Sequence, residues 1–157
     1  MANAALDAAQ EILRGKVDQP TEPTDWLEMT QERINQFADA TLDHQWIHID
    51  PERAKAGPFG APIAHGQLTQ SIMMFLPGGA DIGIPALDGV KLGINYGWNR
   101  VRFPSPVPVG AKIRTRGCIK SVEAKGEMLE VVNELTCEIQ GSDKPACVGE
   151  SVLRMVF

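Results

Sequence analysis

Apolar and polar side chains alternate along the last third of the chain, and this alternation restricts the fold more than any other feature. The segment EMLEVVNELTCEIQ, residues 127–140, has apolar residues at alternate positions with glutamates between them. Residues 112–121 and 146–157 show the same period of two, and EAKGE at 123–127 supplies a glycine-bearing hairpin turn. Such a period places one face of a strand on a core and the other in solvent. With residues 90–103, these segments predict four long strands in an antiparallel meander.

A helical pattern occupies residues 66–76, GQLTQSIMMFL, where apolar residues surround most of the circumference. This segment predicts a largely buried helix that ends at the following Pro-Gly-Gly. The other predicted helices are shorter: residues 2–15, residues 31 to about 40 after the N-cap Thr30, and residues 51–56 after the N-cap Asp50. One buried helix and a one-sided antiparallel sheet predict an α+β fold in which the sheet curls around the helix.

Length and charge restrict the class of protein. With 157 residues and a formal net charge of −5, the chain predicts one globular domain without a broad basic surface for nucleic acid. No apolar run approaches the roughly 20 residues of a membrane span, and the N-terminal segment lacks the apolar core of a secretory signal. The three cysteines are scattered and odd in number, which is typical of reduced, structural thiols. We therefore expect a cytoplasmic protein that binds neither nucleic acid nor a membrane.

The groups best able to move protons near neutral pH are concentrated around the stretch DHQWIH, residues 43–48. All three histidines of the chain, at positions 44, 48 and 65, lie in one short window. Asp43 and His48 are five residues apart in a predicted loop, which could bring both side chains to one water molecule. A histidine is the natural base at pH 7, and a carboxyl group can serve as the acid. The alternative is that Asp43 caps a helix and His48 is a satisfied buried histidine.

A metal site is a competing interpretation of the same window. His44, His48, Asp50 and His65 all carry ligand atoms, and the spacing between the first two matches one helix face. The proline at position 51 and the loop-like context argue against a helix through that pair. We therefore expect no metal.

Gly66 opens the predicted buried helix. The free N–H groups of a helix start can stabilise an oxyanion, and glycine lets a carbonyl oxygen approach the backbone closely. The alternative is that Gly66 merely permits a tight turn.

The segment FADATLDHQWIHIDPERAKAGPFGAPIAHG, residues 37–66, resembles the active-site segment of the MaoC-like hydratases, also called R-specific enoyl-CoA hydratases or hydratase 2. The family pattern is matched by Phe37, Asp43, His48 and Ala54. The later segments GVKLGINYGWNRVRFPSPVPVG and KPACV also resemble this family. DHQWIH and KPACV are most similar to its nodulation-protein-N-like and mycobacterial 3-hydroxyacyl-thioester dehydratase branch. The resemblance implies a single hotdog fold.

The resemblance covers residues 25–157 as one MaoC-like hotdog domain and leaves residues 1–24 as an N-terminal helix and connector without an assigned role. Leu42 departs from the family pattern, which usually has glycine before the aspartate. Gln45 and Trp46 stand where many hydratases have Asn-Pro, a variant that the branch shares.

The resemblance implies an enzyme, a hydro-lyase that adds water reversibly to a trans-2-enoyl thioester and yields an (R)-3-hydroxyacyl thioester. Asp43 and His48 would be the catalytic pair, and the Gly66 N–H would polarise the thioester carbonyl. Substrate contacts are assigned to Gln45, His65, Arg100 and Arg102. No cofactor is implied, because coenzyme A or acyl carrier protein is part of the substrate. The family also implies a homodimer.

Two other functions share this fold. A hotdog thioesterase would use water to cleave the thioester and would release a free thiol. A non-catalytic module would bind an acyl thioester without turnover. The sequence leaves open the acyl chain length, the carrier, the pathway, and which of Asp43 and His48 is the acid.

Overall fold

The computed structural model describes residues 3–78 and 82–157. Its helices are α1 (Ala4–Arg14), α2 (Gln31–Thr41), α3 (Trp46–Ile49), α4 (Pro51–Lys55) and α5 (Gly66–Ile72). Its strands are β1 (Leu27–Glu28), β2 (Leu92–Arg102), β3 (Lys112–Lys125), β4 (Met128–Ile139) and β5 (Cys147–Val156). Within these described residues, no helix is long and apolar enough to cross a membrane.

The four predicted long strands form one curled antiparallel sheet, but their order is not that of a simple meander. The sheet order is β1-β3-β4-β5-β2. The last three strands follow one another as predicted, with Gly126 at φ +65 in the β3–β4 hairpin. β2 pairs with β5 rather than with β3, so this part of the prediction was wrong. Alternation identifies a strand and its buried face, but it does not specify which edge the strand joins.

Helix α5 packs against the concave face of the sheet, which confirms the predicted architecture. Leu68 on the helix and Met73 just after it lie in the same core cluster as Leu135 and Cys137 of β4. The helix ends at Ile72, earlier than predicted, and Phe75 is 82% exposed. The prediction of burial around most of the circumference was therefore wrong for the single chain.

Helix α1 extends the core beyond the segment that the family resemblance covers. Its buried residues Leu6, Ala9 and Leu13 pack with a second cluster that includes Ile119 of β3 and Leu129 of β4. The helix therefore covers the parts of β3 and β4 that belong to this second cluster.

The short helices flank the segment that carries the histidines. Thr30 and Asp50 cap α2 and α4 as predicted, since their side chains accept hydrogen bonds from the backbone N–H groups of Arg33 and Arg53. Helix α3 occupies part of the predicted loop. A single turn is too short to show a helical period in the sequence.

Leu42 ends α2 in the left-handed region, at φ 65 and ψ 15, where the family usually has glycine. This conformation costs an L-residue about 1–2 kcal/mol, and the 80% exposed side chain packs too little to offset that cost. Leu42→Gly should raise the free energy of unfolding by up to about 1 kcal/mol, after subtraction of glycine's greater unfolded-state entropy. Differential scanning calorimetry would detect this as a rise of roughly 2–4 °C in Tm. Leu42→Ala keeps the strain and is the control; an equal rise in both variants would contradict the backbone explanation.

Candidate active site

The fold brings Asp43, His48 and His65 together although they lie on different elements. Asp43 follows the end of α2, His48 lies in α3, and His65 directly precedes α5. One ligand atom from each of the three side chains lies within 4.8 Å of the other two. The Asp43 side chain is 49% exposed, whereas both histidines are buried. A single water molecule can bridge groups at such a separation.

His48 is held in one tautomer. Its Nδ1–H donates to the carbonyl oxygen of Ile63 at 2.7 Å. A carbonyl oxygen only accepts, so Nδ1 carries the proton and the neutral ring has its lone pair on Nε2. That is the arrangement a general base needs.

Burial lowers the pKa of His48 below the ordinary histidine value of 6.5, since it removes water from the charged form. The carbonyl of Ile63 and the Asp43 carboxylate act in the opposite direction, and the neighbouring His65 lowers the pKa further. The net shift is downward, so His48 is neutral at pH 7 and able to accept a proton.

The pH dependence of turnover should reflect this lowered pKa. If neutral His48 is the base, kcat/KM should stay high as pH falls through 6.5 and decline only at lower pH, where His48 becomes protonated in the free enzyme. A pH series of initial rates between pH 4.5 and 8 measures the inflection. An acid limb centred above 6.5 would contradict the assignment of His48 as base.

His65 ties the elements of the site together. Its ring stacks on His48 with centroids 3.7 Å apart, and Phe37 of α2 packs on it at 5.0 Å. Its Nε2–H donates to the backbone carbonyl of Asp43 at 2.9 Å. His65 is 2% exposed, and its Nδ1 has no hydrogen-bond partner among the described residues. Its contacts therefore fix the backbone at Asp43 and the ring plane of His48.

The four residues of the metal interpretation are not brought together. His44 pairs with Asp39 at 2.9 Å, and Asp50 caps α4. The remaining cluster of Asp43, His48 and His65 is a poor chelator, because imidazole lone pairs lie in the ring plane. The two stacked rings, inclined by only 25°, direct their lone pairs side by side rather than toward one ion.

A cavity of about 320 Å³ lies beside His48 and reaches Gly66. It is bounded by two half-exposed aromatic residues that sequence reasoning missed, Phe59 and Phe103. A Cβ atom on Gly66 would lie 3.1 Å from the Phe103 ring, so glycine permits a close approach of ring and backbone here. Among the described residues, the Gly66 N–H makes no hydrogen bond. A carbonyl oxygen in this cavity would meet a free donor and a neutral imidazole.

The other residues assigned to substrate contacts, Gln45, Arg100 and Arg102, do not line this cavity. Gln45 is exposed and is the N-cap residue of α3. Arg100 and Arg102 are exposed on β2, and Arg102 directly precedes the cavity residue Phe103. Their contact with a substrate stays a prediction.

Cys137 and Cys147 are not activated nucleophiles. Burial raises the pKa of Cys137 to about 12 and that of Cys147 to about 11. A thiol with such a pKa is almost entirely protonated at neutral pH. Cys118 is half-buried, and all three thiols are free.

The family model described as "MaoC like domain" matches residues 13–138. The 3-hydroxyacyl-thioester dehydratase Z of Mycobacterium tuberculosis is 51% identical over 134 residues, which cover 85% of this chain and 86% of the relative. Nodulation protein N of Rhizobium leguminosarum bv. viciae is 40% identical over 144 residues, 90% of this chain and 88% of that protein.

The fold also matches a solved structure, the (R)-hydratase from A. caviae involved in PHA biosynthesis. The TM-score is 0.66 at 24% identity, with 87% of this chain and 94% of that chain covered. The predicted hotdog fold is confirmed by this likeness and by the curled sheet itself. The chain belongs to the MaoC-like dehydratase family, as its sequence predicted.

Proposed function

We propose that the protein catalyses the reversible hydration of a trans-2-enoyl thioester to an (R)-3-hydroxyacyl thioester. The observation that carries the proposal is the Asp43–His48 pair. The Asp43 carboxyl group and the neutral His48 imidazole lie within 4.8 Å of each other, and His48 lines a cavity that reaches the Gly66 N–H. An acid–base pair around one water is what hydration of an activated double bond requires.

In the hydration direction, His48 Nε2 takes one proton from the water whose oxygen forms the new bond to C3. The electron pair of the C2–C3 double bond moves toward the thioester carbonyl, where the Gly66 N–H stabilises the enolate oxygen. Asp43, which is protonated at the start of this step, delivers its proton to C2 and becomes a carboxylate. Solvent returns a proton to Asp43 and removes one from His48, so the enzyme ends each turnover unchanged.

The names of the similar proteins support the substrate class. One relative is a 3-hydroxyacyl-thioester dehydratase, and the similar structure is an (R)-hydratase. We assign the same reaction and R configuration to this chain, without a cofactor and with coenzyme A or acyl carrier protein as the thioester carrier.

We also propose that the protein is a cytoplasmic homodimer. β2 is an edge strand of 11 residues, and it exposes Leu92, Ile94 and Tyr96. A long edge strand with apolar side chains favours pairing with another strand. A second copy of the chain would extend the sheet across both subunits. Light scattering should give twice the chain mass of 17.1 kDa; the mass of a single chain would contradict the dimer.

The dehydration direction tests the reaction and its stereochemistry. Incubation with (R)-3-hydroxybutyryl-CoA should produce enoyl-thioester absorbance, whereas the S enantiomer should react at least about a hundredfold more slowly. Free thiol is measured in parallel. Thiol release without enoyl formation would identify a thioesterase instead, and equal rates for the two enantiomers would overturn the R assignment.

A further inference from the structure

A second cavity, of about 400 Å³, lies between the segment after α5 and the concave face of the sheet. Its volume is within the range of small-molecule sites. The wall is mostly apolar, but the floor contains two buried polar residues, Asn133 of β4 and Ser151 of β5. They are 2% and 3% exposed.

The two polar residues form a pair in the middle of an apolar floor. Asn133 and Ser151 are direct cross-strand partners, so their side chains lie next to each other on the same face. Leu135 is two residues beyond Asn133, and Leu153 is two residues beyond Ser151, so both leucines share that face. Both also line the cavity. The polar pair is therefore flanked by apolar surface on each strand.

The side-chain amide of Asn133 has a partner for its Nδ2 but none for its Oδ1 among the described residues. Its Nδ2 donates to the carbonyl oxygen of Ile82 at 2.7 Å, which fixes the orientation of the amide. Its Oδ1 is buried and has no partner among the described residues. A buried acceptor without a donor is destabilising, and a ligand that brings a donor removes that cost. The amide oxygen thus selects for a hydrogen-bond donor.

The cavity lies within reach of the proposed reaction centre. The two cavities lie at opposite ends of α5: its first residue, Gly66, lines the first cavity, and Met74, two residues beyond its end at Ile72, lines the second. A helix rises about 1.5 Å per residue, so the ends of α5 are about 9 Å apart. An extended peptide spans about 3.3–3.6 Å per residue, which has three backbone bonds. An extended acyl chain therefore spans the length of α5 with roughly eight bonds. A medium-length acyl chain held at Gly66 is therefore long enough to reach the second cavity.

We propose that this cavity receives the far part of the acyl chain, and that Asn133 Oδ1, with Ser151 beside it, accepts a hydrogen bond from a hydroxyl group on that part. The inference rests on the proposed function. The expected substrate is then an enoyl thioester of about ten or more carbons that carries a distal hydroxyl group.

The test compares 12-hydroxy-trans-2-dodecenoyl-CoA with trans-2-dodecenoyl-CoA. For the wild-type protein, kcat/KM should be at least about fivefold higher for the hydroxylated chain, as one net hydrogen bond allows. In Asn133→Leu this ratio should fall to one or below, and in Ser151→Ala it should fall in the same direction. Asn99→Leu, an exposed asparagine that bonds Glu150 outside this cavity, should keep the wild-type ratio.

Each outcome decides a different claim. Thermal melting shows whether the Asn133→Leu variant folds. If it does not fold, the ratio measured in Ser151→Ala decides whether the polar pair recognises the hydroxyl group. A wild-type ratio near one, or a ratio that both cavity variants leave unchanged, overturns the hydroxyl assignment. If the wild-type protein hydrates neither crotonyl-CoA, which is too short to reach Asn133, nor trans-2-dodecenoyl-CoA, the proposed function is overturned, and with it the acyl identity of the occupant.

Discussion

His48→Gln should lower kcat for the hydration of crotonyl-CoA by at least about two orders of magnitude, the usual contribution of a general base. Glutamine can still donate a hydrogen bond toward the carbonyl of Ile63, but it has no lone pair able to accept the proton of the attacking water. Steady-state rates measure the loss. The decline of kcat/KM at low pH that protonation of His48 produces should also be absent in this variant.

His44→Gln is the matched control for this prediction. It makes the same chemical change four residues earlier, at a half-exposed histidine whose partner is Asp39. We expect its activity to stay within about twofold of the wild-type value, because a surface ion pair contributes little. Equal losses in the two variants, or wild-type activity in His48→Gln, would contradict the role of His48.

Gly66→Pro should lower kcat by about 10²–10³-fold, the effect of removing one oxyanion donor. Proline removes the backbone N–H, and the first helical position tolerates it. The preceding His65, at φ −59 and ψ 138, already has the extended conformation that a following proline demands. The helix should therefore remain while the donor is lost.

Gly66→Ala separates the donor from the added bulk. Both substitutions place a Cβ near the Phe103 ring, but alanine keeps the N–H. Alanine should therefore retain most of the activity that proline loses. Equal losses in both variants would show that contact with Phe103, rather than the missing N–H, explains the effect.

The strands of the sheet and part of the site were predictable because their signals are local. Alternation in residues 127–140 identifies β4 and its buried face, and the glycine in EAKGE marks the hairpin. The capping residue Thr30 similarly placed the start of α2. The proximity of Asp43 and His48 follows from five residues of separation in an irregular segment. Each of these features depends on neighbours in the sequence.

The remaining features depend on contacts between distant segments. The pairing of β2 with β5 joins residues 46 positions apart at Arg102 and Val148 and 64 positions apart at Leu92 and Val156, and no alternation pattern encodes it. Phe103 directly follows β2, so its position beside the cavity depends on that same pairing. The sequence therefore predicted that FPSPVPVG connects strands but not that it contributes to the site. The stacking of His65 on His48 requires α3 and α5 to meet in space. Their sequence proximity alone does not predict it.

In the proposed reaction, Asp43 and His48 transfer protons to and from water at an enoyl thioester. The most direct test is the loss of crotonyl-CoA absorbance with the wild-type protein beside Asp43→Asn, with free thiol monitored in the same samples. We predict rapid loss with the wild-type protein, without thiol release, and a rate at least about a hundredfold lower in Asp43→Asn. Equal rates in the two proteins, or thiol released as fast as absorbance is lost, would contradict the account.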